Sequence, residues 1–193
     1  MVDKFQYILK DFDSLIDQYI LQIEEEISNV DFDSTASFEF KLNNEFDSSI
    51  FKGKDKIRGL YFFEVDLDST ILKGQKRITK LNRLIQDWGK KKNDSFFSSS
   101  VIKGKVKHYD AFDKRWLPLY IGKNKDVYKR IIDHIELKST SQTYAMKLRH
   151  RKNLNDINFR VSILNIDIVN YDFIVPHIER TLREKYKPIV GKQ

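Results

Sequence analysis

The sequence predicts a mixed α/β (α+β) fold, a small three-stranded antiparallel sheet flanked by helices with an added N-terminal helix. Three observations predict it. Segments rich in aromatic and β-branched residues recur at 57–65, 117–122 and 158–167. Amphipathic stretches with three- and four-residue steps separate and follow them. The chain of 193 residues is long enough for one sizeable core plus additions, and 40% hydrophobic with 33% charged residues is ordinary globular composition.

Phe5, Ile8, Leu9, Phe12, Leu15, Ile16, Tyr19, Ile20, Ile23 and Ile27 recur at helical steps after Asp3, a suitable N-cap. One long helix is expected there. Its acidic polar face is unsuited to DNA, so docking on the body or pairing with another subunit is the expectation. Residues 30–56, rich in Asp, Ser and Asn, read as a loop or a short strand around Ser37 to Leu42. Ile57 to Val65 ("IRGLYFFEV") reads as a buried strand, and Arg77 to Trp88 as a second amphipathic helix. A polar linker follows. Leu117 to Gly122 is the next strand, Asp126 to Leu137 a helix, Thr143 to Arg151 another helix, and Asn158 to Asp167 a third strand. A last helix runs from about Phe173 to Tyr186, with Pro176 expected in its first turn, where a missing N–H does no harm.

Charge narrows the class of partner. Residues 1–50 hold 12 acids and 3 bases, whereas residues 51–193 hold 16 acids and 32 bases, a net of +16. A basic body attracts a polyanion because each neutralised phosphate releases counterions, which makes nucleic acid the expected partner. Lys103, Lys105 and Lys107 alternate, so an extended chain would point all three one way as a phosphate rail; a solvated loop is the equal alternative. The absence of cysteine excludes a disulfide framework, a thiolate metal site and a cysteine nucleophile. No apolar run reaches membrane-spanning length and no signal-peptide pattern opens the chain, so no membrane is expected and the cytoplasm is the expected compartment.

Gly59, Leu60 and Tyr61 form "GLY" in one strand, and Tyr120, Ile121 and Gly122 form "YIG" in the next. Arg130 lies ten residues after Tyr120, His134 follows four later, and Glu179 precedes Pro188 by nine. In this order the motifs resemble those of the GIY-YIG nucleases. The resemblance covers roughly residues 57–193, leaving 1–56 as an N-terminal helix and linker. It implies a GIY-YIG-like domain with a long insertion, 66–115, between its first two strands. It further implies a Mg²⁺-dependent endonuclease that hydrolyses DNA phosphodiesters, with a restriction-type role among those open to it, Mn²⁺ an alternative ion, RNA an alternative substrate and a homodimer an open assembly. Gly191 stands near the place where many members carry an asparagine.

The resemblance gives catalytic roles to Tyr61, Tyr120, Arg130, His134 and Glu179. The chemistry suits them: Arg130 can donate bidentately to a phosphate, His134 can relay a proton or hold a phosphate, and Glu179 offers hard oxygen to Mg²⁺. The tyrosines would orient or deprotonate water, although a phenol near pKa ~10 needs cationic help to act as a base. Lys123, Lys125 and Lys129 are expected to face the nucleic-acid backbone, and Gly59 and Gly122 to serve as structural turns. A catalytically inactive nucleic-acid-binding module with the same fold is the alternative, and a protein-interaction domain a third.

Overall fold

Four strands, β1 (Ala36–Lys41), β2 (Gly59–Asp66), β3 (Trp116–Asn124) and β4 (Asn158–Asn165), form one antiparallel sheet in the order β1–β4–β2–β3. The computed structural model describes residues 2–32, 36–68, 74, 76–85, 109, 115–138, 141, 143 and 145–191. The helices are α1 (Val2–Asn29), α2 (Arg77–Ile85), α3 (Val127–Glu136) and α4 (Tyr171–Tyr186). The mixed α/β class and the antiparallel pairing of β2 with β3 agree with the sequence.

Among the described residues the count of three strands is corrected to four. The segment read as a loop or short strand pairs along its whole length with β4, from Ala36 opposite Ile163 to Lys41 opposite Asn158. Its neighbours rich in Asp, Ser and Asn obscure a short alternation, Phe38 and Phe40, that supplies the packing. The Phe40 ring stacks between Phe46 and Phe159, with centroids 4.5 and 5.6 Å away. The expected linker therefore contributes an edge of the sheet.

All eight residues of β2 are buried, because helices cover both faces of this central strand. Tyr61, Phe63 and Val65 pack with Leu117, Val161 and residues of α2 and α3 on one face. Leu60 and Phe62 pack with Ile121, the end of α1 and α4 on the other. Burying an aliphatic or Phe side chain of this kind contributes about 1.5–3 kcal/mol, so the strand carrying Tyr61 is among the best anchored in the molecule.

Two further expectations are corrected. Thr143 to Arg151 is not an α-helix; two 3₁₀ turns, Leu148–His150 and Lys152–Leu154, stand in this region. Lys147 takes a left-handed conformation, φ 56°, that no α-helix continues through. The Met146 N–H donates to His134 and its carbonyl accepts from Arg151, so side chains satisfy the backbone where a helical ladder would have. Pro176 lies in the second turn of α4, not the first, because the helix begins earlier, at Tyr171. The Tyr171 hydroxyl sets that start by donating to the carbonyls of Gly59 (3.0 Å) and Asn124 (2.9 Å), binding α4 to β2 and β3.

The root of the segment joining β2 to β3 is pinned by Arg115, which donates two hydrogen bonds to Asp66 at 3.1 and 2.9 Å. Within it α2 packs on the core, and the buried Tyr109 donates to the Lys187 carbonyl at 3.0 Å. The end of α1 runs alongside α4 in the same direction: Glu24 pairs with Arg180, and the Val30 carbonyl accepts from Lys185 Nζ (2.7 Å) and Tyr186 (3.2 Å). Among the described residues no helix is long and apolar enough to cross a membrane.

Candidate active site

The site residues converge through an irregularity in β3. The register between β2 and β3 shifts after Phe63: Phe63 faces Tyr120 but Glu64 faces Pro118, leaving Leu119 as an extra residue. A bulge of this kind re-aims the side chains that follow it. Leu119 points into the same core as Leu117, and Tyr120 then packs on that side too, beside Tyr61. The two phenol rings lie 6.1 Å apart at 25°.

Gly122, expected as a turn, is instead an interior residue of β3 directly opposite Tyr61. A Cβ there would sit 2.4 Å from the Tyr61 hydroxyl and 2.7 Å from the Tyr120 ring. Its lack of a side chain makes room for both tyrosines. Gly59 is likewise not a turn: it opens β2, and a Cβ would fall 2.0 Å from the Leu164 carbonyl of β4. Both positions are corrected to close approaches within the sheet.

Helix α3 supplies the next layer. Asp126 caps it, its side chain accepting from the Lys129 N–H at 3.1 Å, and the four-residue step brings Arg130 and His134 to one side. His134 is 0% exposed and Tyr61 is 1% exposed. His134 Nδ1 accepts the Met146 N–H at 3.0 Å, so that nitrogen carries no proton. Burial, with the charge of Arg130 adding to it, holds the imidazole well below its ordinary pKa. In the resulting neutral tautomer Nε2–H donates to the Tyr61 oxygen at 2.9 Å. Neither ring nitrogen is left for a phosphate.

Burial pushes the Tyr61 phenol well above its ordinary pKa and Tyr120 adds to the rise, while the charge and hydrogen bonding of Arg130 oppose it without overcoming it. Tyr120 is only partly buried. Burial raises its pKa as well, opposed first by Arg183. Arg183, not singled out for the site by the sequence, lies over the Tyr120 ring at 5.8 Å and donates to the Ile121 carbonyl of β3 at 2.8 Å. Its spacing from Glu179 was the available signal.

Glu179, on α4, is 13% exposed and held by two cations: Lys123 Nζ lies 2.5 Å from Oε2 and Arg183 Nη2 lies 3.1 Å from Oε1. Lys123 is thus the ion-pair partner of Glu179 and Lys125 that of Asp172 (2.5 Å), while Lys129 is exposed on the first turn of α3. Lys103, Lys105 and Lys107 lie outside the described residues. Gly191 has φ 120°, a conformation L side chains rarely adopt, and a Cβ there would lie 3.3 Å from the Tyr120 ring. An asparagine is therefore strained at this position. Among the described residues no group of three or more His, Asp or Glu side chains is arranged to hold a metal ion. A separate hollow of about 260 Å³, lined by Asn43, Asn44, Glu45, Asn155 and Asp156, includes none of these residues. No protein-family model, curated protein or solved structure matches the chain.

Proposed function

We propose that this chain is a metal-dependent endonuclease of the GIY-YIG kind that hydrolyses DNA phosphodiesters. The observation that carries the reading is the convergence of Tyr61, Tyr120, Arg130 and His134, which come from three elements up to 73 positions apart in sequence and meet in contact. Arg183 links this cluster to Glu179. Two phenols, a guanidinium and a carboxylate at one strand edge are the groups that phosphodiester hydrolysis needs to orient water and to stabilise charge on the phosphoryl oxygens.

Arg130 donates to the phosphate. His134 is a positioning residue: its Nε2–H fixes the Tyr61 oxygen as an acceptor and so directs that phenol's own proton. Tyr120, the less buried phenol, faces the incoming water. Glu179 fits Mg²⁺ as the single hard-oxygen ligand that such sites combine with water and substrate phosphate, once the Lys123 ammonium leaves Oε2. A bound Mg²⁺ supplies Lewis-acid stabilisation of the phosphoryl oxygens. Lys123, released from Glu179, then meets the backbone phosphate, and the exposed Lys125 and Lys129 lie close to it in sequence.

The occupation of both Glu179 oxygens by cations favours a second reading, an inactive module that binds nucleic acid. Incubating supercoiled plasmid with the protein, with and without Mg²⁺ or Mn²⁺, separates the two. Metal-dependent nicking or linearisation is expected. Binding without cleavage in either metal leaves the inactive module.

A further inference from the structure

We propose that α1 is a self-association helix, pairing antiparallel with α1 of a second copy. Eight of the eleven large hydrophobic residues exposed among the described residues belong to this one helix. Phe5, Ile8, Phe12, Leu15 and Tyr19 form a seam with strict steps of three and four, and each is 43 to 61% exposed. That is the heptad spacing of a helix with a helical partner. Docking on the chain's own body accounts for a different face: Ile23, Ile27 and Val30 pack toward α4, and Glu24 pairs with Arg180. Since Glu24 lies level with Arg180, the first turns of α1 extend past the start of α4 at Tyr171. A 28-residue helix is about 42 Å long, so Phe5, Ile8 and Phe12 project beyond α4, and Leu15 and Tyr19 beside it stay exposed on the same stripe.

Charge selects the occupant and its direction. Residues 2–15 carry three acids and two lysines, Lys4 and Lys10, whereas residues 16–29 carry four acids and no base. A parallel pair would lay the −4 half on the −4 half. An antiparallel pair lays it on the half that holds both lysines. In the antiparallel arrangement the partner's Phe5 and Ile8 also approach Tyr19, and the 50% exposed Phe173 on α4 lies on the side where α1 docks. This inference is independent of the nuclease reading.

Sedimentation equilibrium of the full chain is expected to give a dimer, and the double variant Ile8→Glu/Leu15→Glu a monomer with unchanged circular dichroism. Both positions are exposed in the single chain, so its own fold does not depend on them. The chain has no cysteine, so Gln6→Cys, at an exposed uncharged position, introduces a unique thiol for a nitroxide label and leaves both lysines in place. Antiparallel pairing is expected to separate the two labels by about 20 Å or more, whereas parallel pairing brings them near the ~10 Å interhelical spacing. A wild-type monomer at 100 µM loading concentration (~10⁻⁴ M, well above a micromolar Kd), a dimer that survives the double variant, or a short label distance each overturns the proposal.

Discussion

The two ends of the candidate site are built by opposite physics. At the inner end Tyr61 and His134 are held by burial, ring packing and hydrogen bonds between neutral groups. At the outer end Lys123, Glu179 and Arg183 are held by charge at partly exposed positions. The first arrangement is rigid, because an unpaired polar group in a dry interior is costly. The second is exchangeable, since screened ion pairs contribute little net free energy and water or substrate readily replaces a partner. The proposed nuclease, which would hold its geometry while admitting a polyanion and a metal ion, calls for both kinds.

The largest expected effects test whether the two ends act as one. Glu179→Gln should reduce plasmid cleavage by a hundredfold or more (~10² or greater) by removing the charge that holds the metal, while DNA binding in a filter or anisotropy assay is retained or strengthened. Arg130→Ala should also abolish cleavage but weaken binding, since it deletes a cation at the phosphate. Full activity in Glu179→Gln breaks the link between the ends.

The packing of the inner end is tested at Gly122. Gly122→Ala places a methyl group 2.4 Å from the Tyr61 hydroxyl and should destabilise the fold by about 1–3 kcal/mol in urea titration. Adding Tyr61→Phe removes the nearest of the atoms struck, leaving Tyr61 Cζ and the Tyr120 ring at 2.7 Å, so the double variant should still be destabilised but by less than the sum of the singles. Strict additivity contradicts the contact.

Acid should separate the ends next. Because the folded state holds His134 neutral with a depressed pKa, the unfolded chain takes up a proton near pH 6.5 that the folded chain refuses. Stability is therefore expected to fall as pH drops below about 6.5, by up to ~1.4 kcal/mol per unit until the folded pKa is reached. His134→Gln keeps an N–H for Tyr61 and an oxygen for Met146 but cannot titrate, so comparing urea midpoints at about pH 7 and pH 5.5, either side of the ordinary histidine pKa, should show a smaller drop in the variant. The smallest effect belongs to an exposed pair: Asp172→Asn, which breaks the ion pair with Lys125, should change stability by less than about 1 kcal/mol, with any change fading in high salt.

The sequence was legible where local pattern and burial agree. Strand β2 reads plainly because it is buried on both faces, and α3 because Asp126 caps an amphipathic run. It was illegible where a distant side chain decides. Nothing local to 143–151 reveals that His134 and Arg151 take up the polar groups of Met146. Gly122 was visible as a special residue, but its reason lies across the sheet at Tyr61 and across a bulge of which Pro118 is the one local sign. Likewise the place of Glu179 on a helix could be read, whereas the seating of Lys123 on its carboxylate depends on how α4 crosses β3.

The chain after α4 lies along one edge of the sheet. Strand β3 lies at the margin of the sheet, and a free margin is a template onto which another extended chain can add. Here the Ile189 and Val190 N–H groups donate to the Pro118 and Leu119 carbonyls at 3.2 and 2.9 Å, and Pro118 has no N–H of its own to offer. The bonding positions around the bulge are thus spoken for. Over that stretch the border strand that carries the candidate chemistry offers no free ladder positions for another extended chain to add to.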